Sequence, residues 1–541
     1  VVFGWLKGKG KRGSHPMMNS AEAARLLAEL PQHDALKATD EVGAWLESLA
    51  RSTTFGTPAQ RLKVISLVDE AGQAHVETLM AHYLESESRQ KPDRFTRWQT
   101  LMHYWERVAE AYQELVIFFE ASKHPEGRDQ VPLVIARAMR AVYMQMRLGL
   151  MRYAGEPERT WGQMYKLFSS ALQSHCPTSP VRLYPPGTRT TTARHELVAA
   201  VMLEAAAPQT LAPRQIELTG RVAMRVASAV AFSDVPADGF DWYLDLAKPR
   251  APNLVPNKLQ AAPTMRFLGR GTVVARLKET IERTRTAAPL SPDPELGTEF
   301  LPPERLETLT RLLIYWGESP PRRQHTRTRI ATSVDVVFGL DAVMRVVGKG
   351  EQQVITSEKF EILFDDKRAA DAKPAAAEYE TWTLKDISLR GLGASTTRRA
   401  QGALRIGALM AFRLEDTEQW AVGVVRRLQV DPQKNSSVGA EIFSRSPRVF
   451  WLKKPGAPGN DAWDFETKKD DAMSHHFLKT VLLPKEKDGA QAESMLVEQG
   501  EYKSGPTYGA RIDKDLVRNL RFGKVLEPGD HFERVAFEWV D

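Results

Sequence analysis

A single cysteine, Cys176, occurs in 541 residues. One thiol cannot close an internal disulfide or build a multi-thiolate metal site, and such usage fits a reducing compartment, so a cytoplasmic protein is expected. Long apolar runs are missing as well: HELVAAVMLEAAA, from His195, stops short of the roughly 20 residues a membrane-spanning helix needs. No membrane insertion is expected. An excess of one charge is also missing. The 74 Lys and Arg against 68 Asp and Glu give a formal charge of +6, too small over this length to argue for nucleic acid as a partner. In VVFGWLKGKGKRGSHP the apolar residues precede the basic ones and no long apolar core follows, which is the wrong order for a secretory signal. Residues 1–19 read as a flexible basic tail.

Catalytic signatures are sparse. His195-Glu196 begins like a zinc-protease helix, but Ala199 stands where the second histidine belongs. GRG at 269–271 precedes a helical pattern, yet Val274 occupies the third glycine position of a dinucleotide fingerprint, and no strand is read before it. The neighbours His475 and His476 would point to opposite faces of a strand, which argues against a shared metal. Met139, Met144, Met146 and Met151 read as core filler. With no phosphate-binding Walker loop and no nucleophile, base and orienting group at a recognisable spacing, an enzyme is not expected, nor a cofactor or a metal.

What is present is a soluble-type composition, 42 % apolar and 26 % charged, over a length that calls for several domains. From about residue 20 the apolar period is helical. Leu62, Ile65, Gly72, Val76, Leu79 and Tyr83 share one face, and Trp98, Leu101, Met102, Trp105, Val108, Tyr112, Leu115 and Phe119 share another. WGQMYKLFSSAL, from Trp161, is similar to tetratricopeptide helices, but the fixed period of about 34 residues is missing. The helical pattern is read through to residue 290. Beyond the double proline Pro320-Pro321 the period changes to two. VDVVFGLDAVMRVV, TWTLKDIS, RIGALMAFRLED, QWAVGVVRRLQVD and SVGAEIFSR read as short strands, interrupted by an Ala-, Asp- and Lys-rich insert at 365–380. The expected fold is multidomain α+β: an N-terminal all-α helical array, a small antiparallel β-barrel, and a second C-terminal β unit. The expected divisions are 20–290 for the array, as one body or two, 291–321 for a linker and connecting helix, 322–452 for the barrel, and 462–541 for the last unit.

The densest charge lies in SPPRRQHTRTRIATSVDVVF at 319–338, where Arg322, Arg323, Arg327 and Arg329 fall within eight positions. The prolines end the preceding helix, so these arginines sit on the segment leading into the barrel. A cationic entry segment suits an anion. About sixty residues on comes KDISLRGLGAS. Together, RRxxxR at 322–327 and DxSxxG at 386–391, followed by WAVGVVRRL and SVGAEIF, resemble the PilZ domain, a bacterial receptor module for cyclic di-GMP, over residues 318–452.

The resemblance implies a ligand site made by Arg322, Arg323, Arg327, Asp386, Ser388 and Gly391. Cyclic di-GMP is a dianion with two guanines, and guanidinium groups can fork onto phosphate oxygens or guanine O6 and N7 and stack on a purine face. By the family pattern Asp386 accepts from the guanine N1 and N2 donors, Ser388 supplies a small hydroxyl, and Gly391 lets the backbone approach the ligand. An arginine directly before RxxxR, here Arg322, implies an intercalated pair of ligand molecules. Arg426 and Arg427 extend the positive surface, only one of them being expected to face the ligand on an alternating strand. The function so implied is that of a receptor that changes the arrangement of a helical region contacting an unidentified protein partner, and so regulates motility, surface attachment or biofilm. The alternative is a constitutive helical adaptor whose barrel is degenerate and binds no ligand.

Overall fold

The computed structural model describes residues 15–540, apart from 16, 18–19, 53–54, 89–92, 123–124, 155–156, 186, 188, 289–291, 294–295, 322–327, 353–378, 398–403, 416, 432, 434, 457–475, 486–491 and 514–515. It divides into two compact units, 1–322 and 323–541.

The first unit opens with six helices: α1 (Ser20–Ala28), α2 (Ala35–Arg51), α3 (Pro58–Ser88), α4 (Arg94–Ala121), α5 (Val131–Met151) and α6 (Pro157–Gln173). A two-stranded ribbon of β1 (Val181–Arg182) and β2 (Thr190–Thr191) follows, then α7 (Ala193–Ala205) and α8 (Pro213–Val226). Local chemistry sets the helix starts. The Asp34 carboxylate accepts from the Lys37 N–H at the head of α2, the Thr192 hydroxyl does the same for His195 at α7, and Pro213 fills the first turn of α8, where no donor is needed. The two apolar faces predicted for α3 and α4 are the buried ones, with Tyr83, Tyr104 and Tyr112 fully enclosed.

The all-helical reading through residue 290 does not hold. Strands β3 (Ala231–Ser233), β4 (Phe240–Asp245), β5 (Asn253–Leu254) and β6 (Met265–Gly269) form an antiparallel sheet ordered β3-β6-β4-β5, before α9 (Val273–Thr286) and α10 (Pro302–Tyr315) close the unit. The strands are two to six residues long, too short to set up a visible alternation beside long helical patterns. A strand therefore does precede the GRG segment. A side chain at Gly269 or Gly271 would collide with the carbonyl oxygens of Gly239 or Ala229, at 2.6 and 2.1 Å from its Cβ, so close backbone packing accounts for both glycines.

Helix α5 carries a ladder of buried or half-buried arginines that meets carboxylates on three other helices. Arg137 pairs with Glu70 of α3 at 2.5 Å and donates to the Tyr112 hydroxyl at 2.7 Å, while Tyr112 and Tyr104 donate to Asp69 at 2.9 and 3.0 Å. Arg140 forks onto Glu196 of α7, both contacts being 2.8 Å. Arg147 pairs with Glu217 of α8, which also accepts from Arg221 at 2.9 Å. Glu196, the residue that mimics a zinc-protease glutamate, is thus a structural anion. Such pairs fix which helix lies beside which, because removing one partner strands a buried charge.

The second unit begins with β7 (Thr328–Phe338). Helix α11 (Leu340–Gln352) follows, then β8 (Glu380–Ile387), β9 (Gly391–Thr396), β10 (Leu409–Leu414), β11 (Ala421–Val430) and β12 (Ser436–Ser444). The strands close an antiparallel barrel in the order β10-β11-β12-β9-β8-β7. A second closed barrel, ordered β13-β14-β15-β18-β17-β16, is built from β13 (Arg448–Lys453), β14 (Phe477–Leu483), β15 (Ser494–Glu498), β16 (Thr507–Asp513), β17 (Leu516–Pro528) and β18 (Phe532–Val540). Closure removes the sheet edges that short antiparallel strands would otherwise expose.

Two readings are corrected here. LDAVMRVV is helix, because Gly339 turns the chain at φ +86° and Leu340, Val343, Met344 and Val347 then bury one helical face. Arg448–Lys453, placed by sequence inside the first barrel, pairs with β14 and β16 of the second. The barrels share a core: α11 packs its valines with Leu409, Val422 and Phe443 of one, and Val481, Leu496 and Phe532 of the other. Residues 365–378 of the insert read at 365–380, residues 1–14 of the tail read at 1–19, and residues 457–475, His475 among them, lie outside the described residues.

Burial alone would push the Glu217 carboxyl up, but Arg147 and Arg221 outweigh it and hold the group below the usual carboxylate range. Its contribution is therefore present above the unfolded value, about 4.3, and is lost as pH falls through the lower folded-state value. Glu217→Gln is expected to cost about 3–5 kcal/mol of unfolding free energy at pH 7, with the gap from wild type narrowing below about pH 4. Urea titrations at pH 7 and pH 3.5 compare the two, and a gap independent of pH would contradict this account.

Candidate functional site

A cleft of about 290 Å³ opens on the first barrel, lined from β8, β9 and the turn between them by Lys385, Asp386, Arg390, Gly391 and Gly393, and from β11 and β12 by Arg426, Arg427, Gly439 and Glu441 among others. Its shape follows from strand register. Asp386 of β8 is opposite Gly393 of β9, Gly393 is opposite Gly439 of β12, and Gly439 is opposite Arg427 of β11. This single cross-strand row reads acid, gap, gap, base. Adjacent strands lie about 4.8 Å apart, so the two glycines leave a bare trough of backbone between a carboxylate and a guanidinium.

The trough fits Asp386 closely. A Cβ at Gly393 would lie 2.5 Å from the Asp386 Oδ1 and 2.9 Å from its Cγ, so the carboxylate leans over the glycine and uses the space it leaves. The row extends on its acidic side to Arg329 of β7, the register partner of Asp386.

Strict alternation would put neighbouring side chains on opposite faces, yet Lys385 and Asp386 both line the cleft, as do Arg426 and Arg427. Two β-bulges explain it. Leu384 is opposite Ala394 and Asp386 opposite Gly393, so Lys385 is an extra residue on β8; Val425 is opposite Ala440 and Arg427 opposite Gly439, so Arg426 is an extra residue on β11. A bulge breaks the alternation and re-aims the added side chain. The expectation that only one of Arg426 and Arg427 faces the ligand side is thereby corrected.

The two charges of this pair are not equivalent. Arg427 is exposed and donates to Gln429 at 3.2 Å. Arg426 is held by two carboxylates, Nε to Glu441 at 2.8 Å and its terminal nitrogens to Glu527 of β17 at 2.5 and 2.8 Å. Burial pushes the Arg426 guanidinium down, but Glu527 and Glu441 outweigh it and hold its pKa above the ordinary value.

The sequence-derived residues fall into two groups. Asp386 and Gly391 line the cleft, while Ser388 is not among the residues that line it. The Ser388 N–H and hydroxyl both donate to the Gly391 carbonyl, at 2.7 and 3.3 Å, closing the two-residue turn between β8 and β9, and Arg445 donates to the Ser388 carbonyl at 2.9 Å. Ser388 thus shapes the turn that carries Arg390. Arg322, Arg323 and Arg327 lie outside the described residues. The first described residue after them, Thr328, is opposite Ile387, beside Asp386.

Sequence reading missed Lys385, Arg390, Gly393, Gly439 and Glu441. Their signals were present: a basic residue before and inside DxSxxG, a second glycine in GLG, and the acid in SVGAE. Among the described residues, no group of three or more His, Cys, Asp or Glu is placed to hold a metal. No helix among them is long and apolar enough to cross a membrane.

Residues 21–237, which run from α1 into the sheet of the first unit, match the family model described as the N-terminal domain of the cyclic-di-GMP receptor FimW. No curated protein matches the chain. The match covers the helical region and leaves the barrel with the cleft outside it.

Gly393→Ala is expected to displace the Asp386 carboxylate and, for a ligand whose base donates to that carboxylate, to weaken binding by about 1–3 kcal/mol, the worth of one bidentate base contact. The melting temperature should stay within a few degrees of wild type. Calorimetric titration beside a thermal melt checks both, and unaltered affinity would mean that Asp386 does not read the base.

Proposed function

We propose that this chain is a cyclic di-GMP receptor and effector that holds the dinucleotide in the cleft of its first barrel. The observation that carries the reading is the row Asp386–Gly393–Gly439–Arg427, flanked by Lys385 and Arg390. With no side chain at Gly393 the Asp386 carboxylate lies low over the strands, where it accepts from guanine N1 and N2, and the cations face the phosphates. The match of residues 21–237 to a cyclic-di-GMP receptor domain supports the same ligand from a separate part of the chain. The PilZ resemblance adds Arg322, Arg323 and Arg327, which precede β7 in the sequence, and with Arg322 a pair of ligand molecules. No cofactor or catalysis is assigned.

The output is a change in the arrangement of the helical unit, which contacts a protein partner in the control of motility, surface attachment or biofilm. A ligand shifts such an equilibrium only by its differential affinity for the two arrangements, about 1.4 kcal/mol for each tenfold preference.

Titration calorimetry on the full chain is expected to give selective binding of cyclic di-GMP over GMP and cyclic di-AMP, with about two ligands per chain, since adenine presents an N6 donor where guanine presents O6. Arg323→Ala or Arg327→Ala should weaken binding by about 1–3 kcal/mol or abolish it, with little effect on ligand-free melting. Arg322→Leu should move the stoichiometry toward one. No binding heat from well-folded protein would leave the constitutive adaptor reading.

A further inference from the structure

The cleft shares one of its cations with the second barrel. Arg426 lines the cleft but has four of its contacts on Glu441 and Glu527, and Glu527 belongs to β17. An arginine has five N–H donors, so this guanidinium has little left to offer an anion until a carboxylate lets go. A second guanidinium stands close by. Arg534 of β18 lies over the Phe443 ring at 4.6 Å, and Arg426 lies over the same ring at 5.9 Å. The Arg534 Nε is buried without a hydrogen-bond partner, and Glu527 is the carboxylate acting most strongly on its charge. Glu527 therefore has an alternative cation, packed against the same aromatic ring as its present one.

We propose that an anionic ligand and Glu527 compete for Arg426, with Glu527 passing to Arg534 when the cleft is filled, so that the second barrel sets the affinity of the first. The inference rests on the proposed ligand site. It adds that the free cleft is held in a partly neutralised state by a residue from another barrel. Glu441 stays with Arg426 in both states, whereas the Glu527 contact is the one exchanged, because Glu527 is the register partner of Arg534 across β17 and β18 and acts on its charge more strongly than Glu441 does. Coupling of this kind is reciprocal: whatever loosens the Arg426–Glu527 pair tightens the ligand, and the ligand loosens the pair.

The test is cyclic di-GMP binding to the chain and to five variants, four single and one double, by titration calorimetry. Glu527→Gln is expected to bind about three- to fivefold more tightly, the scale of a half-exposed ion pair. Asp530→Asn is the charge control. It removes another pair between the barrels, Arg405–Asp530 at 2.5 Å, neither residue of which lines the cleft, and should leave affinity within about twofold. Arg534→Met keeps the stem over Phe443 but removes the receiving cation, and should weaken binding in the wild-type background. In the Glu527→Gln background the same change should have no effect, whereas a mere field effect would add in both. Glu527→Asp, which draws the carboxylate back by one methylene, should give a smaller tightening if the glutamine variant does not fold. Weaker binding by Glu527→Gln would overturn the proposal, showing that Glu527 aims Arg426 at the ligand. Unchanged affinity, or additive effects of the two changes, would overturn it as well. If wild type binds no ligand, the receptor reading fails instead.

Discussion

The second unit's chemistry depends on one constraint of strand register, the row that sets Asp386, Gly393, Gly439 and Arg427 side by side across four strands. A slip of one residue at β9 or β12 would carry the glycines to the barrel interior and put leucine, alanine or valine in the trough. Register in a closed barrel is set by the buried face, and here Leu392, Ala394, Val438 and Ala440 are the buried neighbours that hold it. The cleft is thus a by-product of core packing on the other side of the same strands. The bulges at Lys385 and Arg426 add one cation to each wall without altering the row itself.

The first unit is ordered by different physics. Its helices bury large apolar and tyrosine surfaces, but hydrophobic faces alone do not say which helix lies beside which. The ladder on α5 supplies that choice, since Arg137, Arg140 and Arg147 each find a carboxylate on a different helix. Asp69 belongs to the same network: burial pushes its carboxyl up, while Arg137 and the hydroxyls of Tyr112 and Tyr104 act to keep it charged. This polar interior is a structural element, and it absorbs the one glutamate that had looked like part of a zinc motif.

Long periodic segments were legible in the sequence, and short ones were not. The faces of α3 and α4 could be read because helices of 31 and 28 residues repeat the same pattern over about eight turns. The sheet at 231–269 could not, since its strands repeat too few times, and α11 was hidden because valine and leucine after Gly339 continue an apolar run begun by β7. The division of the barrels was displaced because β13 follows β12 with a short connection yet pairs elsewhere, which is a fact of topology and not of local pattern. At the site, Asp386 and Gly391 were readable from motif spacing. The glycine pairing across β9 and β12 and the bulges were not, because cross-strand neighbours such as Gly393 and Gly439 are far apart in the chain. A bulge is also an alternation error that sequence cannot distinguish from a solvent-facing residue. Arg426 and Arg427 show the difference most plainly: two adjacent arginines with the same chemistry, one exposed and one tied to a second barrel.

The helical region matches the model of a cyclic-di-GMP receptor N-terminal domain, and the cleft of the first barrel is the site proposed for that ligand. Photo-crosslinking of the full-length protein with an azido derivative of cyclic di-GMP, mapped by mass spectrometry, tells directly which part holds it. The account predicts labelled peptides from 385–393 and 426–441, with labelling suppressed by unmodified cyclic di-GMP and reduced in Gly393→Ala. Labelling confined to residues 21–237, with the barrel peptides unmodified, would contradict it.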